Sequence, residues 1–89
     1  TADDFFLALF AKDGSHSAGR QMSAHMSCRD AHILSLTGPV GNQALQAVGV
    51  AQQIKDQPSR PIVLCAMGEG TTQEGEVLEA VAEAVRDRL

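Results

Sequence analysis

Apolar and polar positions change their period along this chain, and each change marks an element. Residues 2–12 gather Phe5, Phe6, Leu7, Leu9 and Phe10 behind Asp3 and Asp4. Acidic groups at the start and Lys12 at the end suit a short helix dipole, so a helix is predicted there. Gly14 is its expected stop. Residues 13–32 are polar, and Gly and Ser break every period. They read as an irregular loop, and loops of that length are usually functional or disordered. Ile33 to Leu36 has the composition of a very short strand. Ala44, Ala47, Val48, Ala51 and Ile54 then recur at helical spacing, which predicts a helix over about 42–55. Its small side chains suit close packing, and a Pro-containing turn at residues 56–60 closes it.

Residues 61–67, PIVLCAM, form a continuous apolar run without alternation. A strand buried on both faces reads this way, with Val63 and Cys65 on one side and Leu64 and Ala66 on the other. A glycine-rich loop follows at 68–76. From about 73 to 89, Val77, Leu78, Val81, Val85 and Leu89 line one stripe. Glu79, Glu83, Arg86 and Asp87 fall elsewhere, as in an amphipathic helix.

The expected fold class is α/β: a portion of a parallel sheet flanked by helices. A lone strand cannot close a sheet, so the 89 residues are read as a fragment of one larger domain. The runner-up is a small helical domain that buries PIVLCAM without a sheet. The chain opens on Thr1 rather than Met, and is expected to begin mid-protein, although processing would look the same.

Composition narrows the partners. Apolar residues make up 44% and aromatic residues 3%, so any core rests on Ala, Val, Leu, Ile and Met. The net charge is −4 and the basic residues are scattered, which gives no footprint for nucleic acid. No apolar run approaches the roughly 18 residues of a membrane span. The stretch Phe5 to Ala11 lacks a basic lead and a cleavage site, so it is not read as a signal peptide. Cys28 and Cys65 form no CxxC pair, and a disulfide scaffold is not expected. That usage fits a reducing cytosol or organelle matrix.

The loop Gly68 to Glu76, GEGTTQEGE, carries the candidate chemistry. It lies between a predicted strand end and a helix start, where unpaired amides and the dipole favour phosphate. Gly68 and Gly70 let the backbone approach a ligand closely. Neither GxGxxG nor GxxxxGK[ST] fits the spacing. Instead Glu69 sits between the glycines. A carboxylate beside a phosphate is repulsive unless a cation lies between, and magnesium bridges such groups. The bland alternative is that glycine serves turn geometry and the glutamates stabilise the helix start.

Blocks in order, GRQMSAHMS, GPVGNQALQAVGVA and VLCAMGEGTTQEGEVLEAV, run from about Gly19 to Val81. Together they resemble the alpha subunit of the decarboxylating component of 2-oxo-acid dehydrogenase complexes, of the pyruvate or branched-chain type. That family binds thiamine diphosphate through a motif that begins Gly-Asp-Gly and ends in an Asn pair. Glu69 departs from the Asp and is similar to the branched-chain members. The resemblance implies that Glu69 ligates magnesium and that Gly68, Gly70 and Thr71 meet the diphosphate. It also implies that Gly38 and Val40 receive the aminopyrimidine ring. Thr37, Pro39, Asn42 and Gln43 match positions near a potassium ion in branched-chain members, although Asn42 departs from the usual Thr. Arg20, Met22 and His25 resemble a stretch near the cofactor entrance. His16 and His32 match nothing, and the histidines show no metal-ligand spacing. The Asn pair has no match before Leu89.

The implied reaction is oxidative decarboxylation of a 2-oxo acid, with the acyl group passed to a lipoyl-bearing acyltransferase. The implied partner is a beta subunit or domain, which in this family carries the acid–base glutamate. No residue of this chain is therefore assigned as catalytic, and the chain alone is expected to be inactive. The implied location is the cytoplasm, or the mitochondrial matrix in a eukaryote. A transketolase-like enzyme and a non-catalytic α/β binding fragment remain the alternatives.

Overall fold

The computed structural model describes residues 1–23, 25–35 and 38–89, in units Thr1–Thr37 and Gly38–Leu89. The expectation at Thr37, and the end of the possible strand at Leu36, lie outside the described residues.

The first unit opens with helix α1, Ala2–Leu9. Thr1 caps it: the Asp4 amide donates to Thr1 Oγ1 at 3.2 Å, and the Asp4 carboxylate reaches back to Thr1. This reciprocal arrangement satisfies amides that a helix start otherwise leaves free. The helix is shorter than the predicted 2–12 because Ala11 turns left-handed at φ 51°. The Lys12 amide then donates to Leu7 O at 2.9 Å and the Ala11 amide to Ala8 O at 3.2 Å. That pair of bonds is a Schellman stop, reached before the glycine expected to supply it. Phe5 and Phe6 meet edge to face and Phe6 stacks on Phe10, all of them exposed.

After α1 the chain folds back tightly. Ser15 is buried, and its Oγ accepts the Gly19 amide at 3.0 Å. Gly19 is left-handed at φ 71°, and a Cβ there would stand 2.3 Å from Ala11 O. Only glycine fits such a corner. Gly19→Ala should therefore open the loop and destabilise this unit by about 1–3 kcal/mol. Faster proteolysis between residues 11 and 20 is the readout, and unchanged cleavage would dismiss the corner as a constraint. Further on, Cys28 and Ile33 exchange backbone hydrogen bonds of 2.9 and 2.8 Å across a single antiparallel bridge.

The second unit contains helices α2, Asn42–Ile54, and α3, Gly75–Asp87. A 3-10 turn, Gly70–Gln73, precedes α3, and Glu74 takes an extended conformation between them. The last helix therefore starts at Gly75, later than residue 73. α2 and α3 pack through Ala44, Val77 and Ala80, with Val48 against them. Ala80 is 3% exposed and Ala44 5%, and side chains this small let the two backbones approach closely. The helices run parallel. Their N-terminal ends meet at Gly41 and Glu74. Their C-terminal ends are tied by Gln52, which donates to Asp87 at 2.7 Å and Glu83 at 3.3 Å. Lys55 adds a bond to the Asp87 carbonyl at 3.1 Å.

The expected parallel sheet is not there. Among the described residues the unit is helical, and PIVLCAM forms no strand. A strand exists by hydrogen bonding to a neighbour, and no second segment of the described chain supplies one. The segment instead lies along the α2–α3 pair. Val63 and Cys65 are half-buried, whereas Ile62 and Leu64 are 90% and 91% exposed. Leu64 and Ala66 were expected on a buried second face, and both are exposed. An open apolar groove of about 350 Å³ remains beside Val63, between Ala47, Ala51 and Ala84. The stripe read for α3 is also redistributed. Val77 turns inward with Ala80, but Leu78, Val81 and Val85 face outward.

Candidate functional site

The parallel packing of α2 and α3 gathers the predicted site residues of the second unit at one end. Residues 38–41 lead into α2, and residues 68–76 lead into α3. Gly41 joins them. It caps α2 in a left-handed conformation, φ 91°, and a Cβ there would lie 3.1 Å from Glu74 Cβ. The same Cβ would lie 3.5 Å from the Glu74 Cγ and from Val77 Cγ2. The helix starts are thus within van der Waals reach, and both positive dipole ends point the same way.

The loop itself is held by its own backbone. The Thr71 amide donates to Gly68 O at 3.1 Å, and the Thr72 amide to Glu69 O at 3.1 Å. Thr72 Oγ1 also donates to Glu69 O, at 2.7 Å. These bonds wind Gly70–Gln73 into the 3-10 turn and bury Thr71 to 8% exposure. The Thr71 amide is consequently engaged. The amides of Gly70, Glu76 and Gln43 have no backbone partner among the described residues, as expected at helix starts. Nothing stands within 4 Å of the side-chain position of Gly70 or Gly38, so both glycines border open space.

Glu69 is exposed, and its carboxylate makes no hydrogen bond or ion pair among the described residues. No Lys or Arg lies between Arg60 and Arg86 in the sequence. The acidic groups of this loop, Glu69, Glu74 and Glu76, therefore have no cation nearby in the sequence. Among the described residues no cluster of three His, Cys, Asp or Glu side chains can hold a metal ion. Glu69 therefore stands alone rather than in a closed metal site among the described residues.

Val40 is 58% exposed beside Gly38 and Pro39. Asn42 bonds Gln46 along α2 at 2.9 Å. The GRQM stretch belongs to the first unit. Arg20 is exposed and Met22 is 75% exposed, and His25 Nδ1 lies 3.1 Å from Ser23 O. His16 contacts the Gln21 side chain at 2.8 Å and the Ser27 amide at 3.4 Å. The cysteines are free, Cys28 exposed and Cys65 half-buried. No helix among the described residues is long and apolar enough to cross a membrane. Sequence reasoning missed Gly41 and Glu74. Their signal was faint, because a glycine before a helix is ordinary punctuation until its neighbour across the fold is known.

Paired helix starts, exposed glycine backbone and an unneutralised carboxylate define a loop suited to a cation-bridged anion. The sequence matches the family model described as dehydrogenase E1 component over residues 1–85, and the chain belongs to that family. It is 40% identical over 81% of its length to the mitochondrial 2-oxoisovalerate dehydrogenase subunit alpha of Bos taurus. It is 38% identical over 81% of its length to the Homo sapiens protein of the same name. The 2-oxoisovalerate dehydrogenase subunit alpha of Bacillus subtilis (strain 168) is 30% identical over 100% of the chain. The chain spans 16% of the bovine relative and 27% of the bacterial one. No solved structure matches it.

Proposed function

We propose that this chain is a cofactor-anchoring part of the alpha subunit of a 2-oxo-acid dehydrogenase of the branched-chain type. The reading rests on family membership over residues 1–85, and the meeting of the 38–41 and 68–76 segments through Gly41 supports it. The residues fit a magnesium-bridged diphosphate. Glu69 offers an unengaged carboxylate to the metal, and magnesium takes one or two carboxylates together with phosphate oxygens. Gly70 offers a free amide and an open flank. Thr71, whose amide is already bonded, contributes its hydroxyl and the shape of the turn, and Gly68 supports that turn. Gly38 and Val40 border the same end as the seat of the aminopyrimidine ring. Pro39, Asn42 and Gln43 remain candidates near a potassium ion.

Thiamine diphosphate, when bound, supplies the electron sink for loss of carbon dioxide from a 2-oxo acid. This chain's residues bind and orient it. The acid–base work and the acyl transfer belong to a beta subunit or domain and a lipoyl-bearing acyltransferase. The location follows the host: cytoplasm in a bacterium, mitochondrial matrix in a eukaryote.

The test is calorimetric titration of the full-length protein with thiamine diphosphate, with and without magnesium, followed by a decarboxylase assay on branched-chain 2-oxo acids. Magnesium-dependent binding and turnover with the partner chain are expected. Binding that ignores magnesium would overturn the reading. The isolated 89-residue chain should show no turnover with the same components, and turnover there would refute its role as an anchor only.

A further inference from the structure

We infer that Gly41 and Glu74 form a spacer that sets the gap between the two cofactor-facing segments. The inference rests on the proposed function and adds positioning residues to it. Gly41 is buried, left-handed, and flush against Glu74 and Val77. Residues 38–41 and 68–74 touch here through a glycine with no side chain and the β-carbon of a glutamate. A Cβ at 3.1 Å from another Cβ is tighter than ordinary contact, and the atom it would meet is the rigid root of a side chain rather than its mobile end. The chain must therefore part at this point to admit even a methyl group. Parting shifts Gly38 and Val40 relative to Gly70 and Thr71, since each pair is separated from the contact by only a few residues of backbone. A cofactor that touches both segments reads that shift directly, because productive binding tolerates little misplacement. The carboxylate of Glu74 has no part in this: it makes no capping bond to α3, and the glycine faces the β- and γ-carbons of the side chain rather than its charge.

The two sides of the gap can be tested separately in the full-length protein. Gly41→Ala adds a methyl group but also strains a backbone at φ 91°, so it can fail to fold. Glu74→Val adds bulk at the facing β-carbon without that strain, because Glu74 has ordinary extended angles of φ −74° and ψ 142°. Glu74→Gln removes the charge alone. Titration with thiamine diphosphate and magnesium should show Glu74→Gln within twofold of wild type. Glu74→Val and, where it folds, Gly41→Ala should bind about 10-fold more weakly, with Glu74→Val still unfolding cooperatively in the absence of cofactor. Wild-type affinity in Glu74→Val overturns the spacer, and so does an equal loss in Glu74→Gln. A wild-type protein that binds no cofactor in the presence of magnesium sinks the proposed function and this inference together, a result distinct from either variant outcome.

Discussion

Replacing Glu69 with alanine in the full-length protein is expected to weaken magnesium-dependent binding of thiamine diphosphate by on the order of 100-fold, with little change in stability. Loss of outer-shell partners alone costs 10–100-fold in metal affinity, and a direct ligand should sit at the upper end or beyond. The stability half of the expectation comes from the structure. The Glu69 carboxylate bonds to nothing among the described residues; what holds the turn is its carbonyl, which accepts from Thr72. Alanine keeps that carbonyl. A glutamate that served only the helix dipole would behave oppositely, costing about 0.3–1 kcal/mol of stability and leaving affinity intact. Glu69→Asp should be milder than Glu69→Ala, since it keeps the charge on a shorter arm. Calorimetric titration with and without magnesium separates these cases. Equal affinity of wild type and Glu69→Ala would remove the residue from the site and leave the loop as a structural turn.

The largest loss of stability is expected from Ala80→Asp. Ala80 is 3% exposed against Ala44 and Val77. No cation among the residues of that cluster can pair with a carboxylate placed there. Burying an unpaired charge costs several kcal/mol, and breaking a helix–helix contact adds to it, so a loss of about 3–5 kcal/mol is expected. Ala82→Asp, on the exposed side of the same helix, should stay within about 0.5 kcal/mol. Urea denaturation of the full-length variants gives both numbers. Similar midpoints for the two would mean that α2 and α3 do not pack through this face. The same pair informs function. If the helix starts are aligned by that packing, Ala80→Asp should also lose cofactor affinity, while Ala82→Asp keeps it.

The helices of the second unit were legible because their causes are local. The recurrence of Ala44, Ala47, Val48 and Ala51 describes a face of small side chains, and this is the face that α2 presents to α3. The loop 68–76 was legible as a chemical unit because glycines, a carboxylate and a following helix are contiguous. α1 was overextended for a reason the composition hides: Ala11 adopts a conformation usually left to glycine, and the helix closes on itself before reaching Gly14.

Two things depended on the tertiary structure. The first was the fate of PIVLCAM. Its apolar run has the composition of a buried strand, but a strand is a relation between segments, and no described segment pairs with it. It became an irregular segment with Val63 and Cys65 turned toward the helices and Ile62 and Leu64 outward. The second was the distribution of the α3 stripe, where Val77 and Ala80 took the interior and Leu78 and Val81 stayed outside. Periodicity could not choose between adjacent faces of one helix; the face that meets α2 was decided by the packing, with the small Ala80 facing Ala44. By itself, then, the sequence determined where the helices lie, which loop carries the candidate chemistry, and the family to which the chain belongs. Only the folded chain decided that α2 and α3 run parallel and start side by side at Gly41 and Glu74, because that pairing is made by residues far apart in sequence, whose contact no local pattern encodes.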